Sequence, residues 1–311
     1  MLIYGIDLTS SPAKTKPITV AECLLEGEGL KLITLLEWTC FEPFERLLET
    51  PGPWIAAMDF PFGLPTEFVS QIGWAAQWSD YVARLAIYCK EEYKILLSTF
   101  KATRPGGQKD LKRLIDKQVR SISPLNITRP PVGLMFFEGA PRLLRSKVSI
   151  LPMRPISNAD RFVVEGYPAL VAEQWIGSRS YKDMRPRQQT KCRVRRADLL
   201  KKLLSTEVRG YYGFQISIAS PKLHRRMFGD VKGDLLDAFL CAIQGAWAWV
   251  NQEAHFGIPE YCDSNEGWIT DPAVGSSAPV HRRRTVICSD RADAWGQEAG
   301  VRGYRSLWCR G

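Results

Sequence analysis

Three scarcities in this 311-residue chain each close off a class of protein. Histidine occurs only three times, and the eight cysteines (23, 40, 89, 192, 241, 262, 288 and 309) include no Cys-x-x-Cys pair. That spacing argues against a zinc site and against a disulfide framework, so reduced thiols are expected. No run of about 18 uncharged apolar residues is present, and no transmembrane helix is expected. The first residues, Met1-Leu2-Ile3-Tyr4-Gly5-Ile6-Asp7, hold no basic residue and carry an acid at position seven. A signal peptide is therefore not expected, and the expected location is cytoplasmic. Apolar residues at 45% and charged residues at 24% match an ordinary globular chain and exclude disorder as the dominant state. No internal repeat is visible.

Charge is present and unevenly placed. The chain holds 42 basic and 33 acidic residues, for a net charge of +9. Residues 177–232 contain 15 Lys and Arg against 4 Asp and Glu, whereas residues 1–60 contain 4 against 9. Such asymmetry suits a basic surface that meets a polyanion, most simply DNA or RNA. Arg193, Arg195, Arg196, Lys201, Lys202, Arg225 and Arg226 are the candidate nucleic-acid contacts, and Arg282, Arg283 and Arg284 add a basic cluster near the end. A solvated basic helix without a partner is the plainer alternative.

Hydrophobic patterning gives the architecture. Residues 2–8, 18–25 and 30–38 read as strands, the last two joined by Glu26-Gly27-Glu28-Gly29. Their short connections make an antiparallel meander. Phe41, Phe44, Leu47 and Leu48 fall at helical spacing, Pro51-Gly52-Pro53 ends that helix, and residues 54–58 form a short, fully apolar strand of the buried parallel type. A fifth strand is expected at 162–164. Helices are expected over 80–100, 109–120, 195–204 and 233–250, the last one buried. The result is one α/β domain over 1–272, with a five-stranded mixed sheet, flanking helices and a helical insertion at about 77–160. From 273 the apolar runs thin out, and 273–311 reads as a basic, poorly ordered tail.

Three apolar strands end on an acid, at Asp7, Asp59 and Glu165, and the late helix adds Asp234 and Asp237 on one face. Burying a carboxylate costs several kcal/mol unless something compensates it. Strand ends along one sheet edge are where sites are built, and a divalent cation is the usual neutraliser of clustered acids. Oxygen ligands suit Mg²⁺ or Mn²⁺. Such a centre activates water for phosphodiester hydrolysis. Each acid also admits a plainer role. Asp7 can cap a turn, Asp59 can order the following loop, Glu165 can pair with an arginine, and Asp234 can sit at a helix N-terminus for its dipole. Asp237, inside a helix of Leu, Ala and Phe, resists that treatment most.

The β-β-β-α-β opening with Asp in the first strand, an acid ending the fourth and an Asp in a late helix resembles the RNase H-like fold. Asp234-Leu235-Leu236-Asp237-Ala238 is similar to the Asp-x-x-Asp-Ala helix of Holliday-junction resolvases. Gly5-Ile6-Asp7-Leu8-Thr9-Ser10-Ser11-Pro12, Asp59-Phe60-Pro61-Phe62-Gly63-Leu64-Pro65, Glu165-Gly166-Tyr167-Pro168-Ala169 and Glu266-Gly267-Trp268-Ile269 resemble the motifs of the domain of unknown function 429 family. Its members are described as predicted RNase H-like nucleases. The likeness spans about residues 2–272. It implies metal-ligand and catalytic positions at Asp7, Asp59, Glu165 and Asp237, with Asp234 as a helper ligand. The expectation is thus a Mg²⁺- or Mn²⁺-dependent nuclease. Two alternatives stand beside it: a nucleic-acid-binding protein without turnover, and an ATP-dependent phosphotransferase, because Asp7-x-Thr9-Ser10-Ser11 resembles the phosphate loop of sugar kinases and actin-like ATPases.

Overall fold

A computed structural model of the chain describes residues 1–275 apart from 107–108 and 183–184. The chain divides into Met1–Pro279 and Val280–Gly311, and the second unit lies outside the described residues. So does the expected tail, except for its first three positions. No helix among the described residues is long and apolar enough to cross a membrane.

The meander forms as the turn residues require: β1 (Leu2–Asp7), β2 (Ile18–Glu26) and β3 (Gly29–Trp38) pair antiparallel in sequence order. Helix α1 (Glu42–Glu49) then carries the chain across, burying Phe44, Leu47 and Leu48. This crossover lets β4 (Trp54–Asp59) lie parallel to β1. The insertion follows as α2 (Thr66–Gln71), α3 (Trp78–Leu85), α4 (Lys90–Ala102), α5 (Leu114–Val119), α6 (Val132–Arg145) and the two-residue strand β5 (Ser149–Ile150). Strand β6 (Arg161–Glu165) adds parallel to β4, and α7 (Pro168–Ile176), α8 (Pro186–Leu203) and α9 (Glu207–Tyr212) lead to β7 (Gln215–Ile218), parallel to β3. Helices α10 (Pro221–Gly229) and α11 (Asp234–Val250) close the domain.

The sheet is mixed and has seven strands in the order β5-β6-β4-β1-β2-β3-β7. The five expected strands are present, and two edge strands, β5 and β7, were not anticipated. At two and four residues they are too short for a periodic signal. The helix expected over 80–100 is two helices. Cys89 caps the second, its Sγ accepting from the Glu92 amide at 3.4 Å while Glu92 accepts from the Cys89 amide at 2.7 Å. Only Leu114–Val119 of the expected 109–120 helix is helical, and the helix expected at 195 already begins at Pro186, whose fixed φ suits a first turn.

Each face of the sheet carries its own core. On one face Ile3, Ala21, Ile55, Ala57 and Val164 pack beneath α11, which is buried from Asp234 to Ala248. On the other, Tyr4, Ile6, Trp54, Ala56, Met58 and Val163 pack with α1 and the insertion helices. Strand residues alternate between these cores with the two-residue period of the pleat.

Candidate metal centre at the sheet edge

The site exists because one helix is allowed unusually close to one strand. A Cβ on Gly5 would stand 1.9 Å from the Ala238 carbonyl oxygen and 2.2 Å from the Ala242 amide nitrogen. Only a residue without a side chain lets α11 cross β1 at that separation. The helix begins after Gly233, which adopts φ +78°. Its first turn thereby presents Asp234 and Asp237 at the carboxyl end of β1, where the helix N-terminus favours negative charge.

Parallel pairing supplies the rest. Asp7 and Asp59 are register partners at the ends of β1 and β4, so their side chains share the α11 face. Asp7, Asp59 and Asp237 each offer a carboxylate oxygen within 4.8 Å of the others, a grouping that could hold a metal ion. Asp7 is 6% exposed and Asp237 1%. Among the described residues no hydrogen bond reaches the carboxylate of Asp7 or Asp59, and the nearest cation to Asp7 is the Lys16 ammonium at 3.9 Å. Asp237 is better supported: Tyr181 donates its hydroxyl to Oδ1, and the Lys182 ammonium pairs with Oδ2. Asp234 pairs with Lys16 at 2.7 Å rather than with the triad.

The electrostatics follow from this crowding. Burial, reinforced by the charge of Asp237, pushes the Asp59 carboxyl up to about 7. Burial and the same neighbour raise Asp7 well above the usual carboxylate range. Burial also raises Asp237, against the opposing pull of Lys182 and Tyr181. Burial works to lower Lys182, but Asp237 overcomes it and holds the ammonium firmly protonated.

Glu165, expected as a ligand, stands outside the triad. Its register partner on β4 is Met58, one residue short of Asp59, so its side chain points to the opposite face. There Arg113 grips it with two nitrogens, at 2.6 Å to Oε1 and 2.7 Å to Oε2, and the Phe62 amide donates to Oε2 at 2.9 Å. Arg113 also binds Asp116 through Nε at 2.8 Å and a terminal nitrogen at 2.9 Å, and Ser121 donates to Asp116 at 2.7 Å. All three charged groups are buried. Arg113 ties the insertion to β6 just beneath the triad, and nothing in the sequence distinguished it from neighbouring basic residues. Lys16, Tyr181 and Lys182 were missed as well, since they lie in loops whose return to the sheet edge no local pattern records.

The basic surface is smaller than its composition implied. Arg196 is 2% exposed and donates to the carbonyls of Phe228 at 2.9 Å and Tyr181 at 2.8 Å, which leaves it little surface for the expected nucleic-acid contact. Lys202 donates to the Trp175 carbonyl, Arg195 to the Ser180 carbonyl, and Arg226 to the Leu35 carbonyl and Glu37. Arg193, Lys201 and Arg225 face solvent.

A cleft of about 530 Å³ opens over the acids. Thr9, Ser10, Lys16 and Lys182 line it beside the triad, and Phe60, Pro61, Ile122 and Met135 give it an apolar wall. The molecule is thus a mixed α/β protein with a buried acidic triad where two parallel strands meet a helix N-terminus. The family described as protein of unknown function (DUF429) matches residues 5–260, and the chain belongs to that family. No curated protein and no solved structure gives a significant match. The motif segments converge on this edge: Glu266 accepts from the Thr66 amide at 2.7 Å and the Leu114 amide at 3.1 Å, fastening the loop after β4 and the start of α5 together.

Proposed function

We propose that the protein is a divalent-cation-dependent nuclease with an RNase H-like core, its Mg²⁺ or Mn²⁺ held by Asp7, Asp59 and Asp237. One observation carries this reading: buried Asp7 and half-buried Asp59 sit side by side with no hydrogen-bond donor among the described residues, while buried Asp237 converges on them. Leaving such groups uncompensated is costly, and an all-oxygen donor set without His or Cys suits a hard cation. The strand order around β1, with a meander on one side and parallel crossovers on the other, supports the RNase H-like assignment.

The chain's own groups have definable tasks in phosphodiester hydrolysis, in which a water oxygen bonds to phosphorus, the P–O ester bond breaks and the leaving oxygen takes up a proton. A bound divalent cation would polarise a phosphoryl oxygen and activate the water. Asp7, Asp59 and Asp237 hold that charge in place. Lys16 and Lys182 set positive charge on the cleft wall where a phosphate would approach. Phe60, Pro61, Ile122 and Met135 exclude bulk water from one side, which strengthens each of these interactions. Arg193, Lys201 and Arg225 offer solvent-facing charge for the rest of a DNA or RNA backbone.

The test is cleavage of labelled single- and double-stranded DNA and RNA in Mg²⁺ and in Mn²⁺, with and without Asp237→Asn. Metal-dependent cleavage that falls at least a hundredfold in the variant is expected. Binding without cleavage in every metal would instead identify a non-catalytic nucleic-acid-binding protein.

A further inference from the structure

The number of positive charges already at the centre limits how many metal ions it takes. Four carboxylates gather on the α11 face, Asp7, Asp59, Asp234 and Asp237, and two ammonium groups lie among them. Lys16 bridges Asp234 at 2.7 Å and Asp7 at 3.9 Å, and Lys182 pairs with Asp237. With all four acids ionised, as ligation of a cation requires, the remainder is two negative charges, the charge of one divalent ion. A two-ion centre, with ions about 4 Å apart, needs further oxygen ligands to separate and neutralise them. Glu165 is the natural source of those oxygens and lines the same cleft, but the pleat turns it to the other face of the sheet, where Arg113 takes both of them.

We infer that the centre takes a single divalent cation on Asp7, Asp59 and Asp237, and that the Lys182 ammonium stands where a second ion would otherwise sit, as a fixed positive charge beside the substrate phosphate. The inference rests on the metal-site reading given above. A carboxylate has about four lone-pair positions, so Asp237 can accept from Tyr181 and Lys182 and still bind the ion. The Lys182 side chain is 43% exposed while its partner Asp237 is 2% exposed. The ammonium therefore sits at the boundary of cleft and cluster, able to face a ligand without leaving its acid. Lys16 is similarly exposed, at 46%, but it spends its short contact on Asp234, at the margin of the triad.

Counting bound Mn²⁺ tests this, with free Mn²⁺ followed by electron paramagnetic resonance as it is titrated into the full chain. One ion per wild-type chain is expected. Lys182→Met, which removes the charge and keeps the stem, should bind two, and Lys182→Arg, which keeps the charge, should remain at one. Circular dichroism establishes that each variant is folded, and Lys182→Gln replaces Lys182→Met if the latter is not. Two ions on the wild type would overturn the inference while leaving the metal site intact. One ion on Lys182→Met, bound more tightly, would overturn it too, showing the lysine to be a counter-ion that the metal displaces. No Mn²⁺ on the wild type would remove both the inference and the metal site beneath it.

Discussion

Two groups of acids lie at the same edge of the same sheet and line one cleft, and they are built in opposite ways. On the insertion face Glu165 and Asp116 share Arg113, and every contact is short and charge-assisted. On the α11 face Asp7 and Asp59 have no hydrogen bond among the described residues, and the nearby lysines, Lys16 beside Asp7 and Lys182 on Asp237, are half exposed. The first arrangement joins two parts of the fold and leaves little for a ligand to gain. The second leaves the acids in need of a cation. One residue of register separates them, because Asp59 and Met58 face opposite ways and Glu165 follows Met58.

The largest expected effect comes from breaking the satisfied cluster. Arg113→Met leaves Glu165 and Asp116 buried without their cation, and it should cost about 3–5 kcal/mol in urea unfolding. Adding Glu165→Gln to that variant should recover part of the loss, because one stranded charge is removed. The acids of the triad should behave differently, since among the described residues no cation hydrogen-bonds to Asp7 or Asp59 and the nearest to Asp7, Lys16, is 3.9 Å away.

Gly5→Ala tests the approach that creates the triad. Its methyl group collides with backbone atoms of α11, so the helix must shift and carry Asp237 away from Asp7. We expect a loss of about 3 kcal/mol, as for severe overpacking, together with loss of any metal-induced rise in melting temperature. A destabilised variant with an undiminished metal response would separate α11 docking from the site.

A smaller effect is the pH dependence of the metal-free protein. The folded-state values of Asp7 and Asp59 lie above their unfolded values, so these groups bind protons more readily in the native state. The stability they contribute is fully present below about pH 4 and is lost as pH rises through the folded value, about 7 for Asp59. Melting temperature should therefore fall between about pH 5 and 8 without metal. Asp59→Asn should flatten the part near pH 7, and saturating Mg²⁺ should do the same. A melting temperature that rises over this interval would contradict the assignment of raised values.

Much of the triad was legible in the chain because apolar strands that end on acids are uncommon, and because Asp237 interrupts a helix of Leu, Ala and Phe. The close packing of Gly5 against α11 and the side on which Glu165 emerges were not legible. Both depend on the register between elements far apart in sequence, and a five-residue strand such as β6, with three apolar residues, does not announce its partner's phase. The basic segment was legible only in part, for a related reason. Composition counts charges without their hydrogen bonds, and Arg196, Lys202 and Arg226 spend theirs on backbone carbonyls of other elements. Loop lysines 16 and 182 carry no local pattern at all, and only the folded chain brings them onto the acids.

The central claim is that the α11-face acids are arranged for a cation and not for each other. Thermal unfolding of wild type and Asp7→Asn across a Mg²⁺ or Mn²⁺ titration tests it directly. Asn preserves the shape of Asp7 while removing one charge from a crowded cluster, so the variant should melt no lower than wild type without metal. Wild type should then gain stability with metal, about 2.7 kcal/mol at a hundred times the dissociation constant, while Asp7→Asn loses most of that gain. Identical responses in the two proteins would contradict the account.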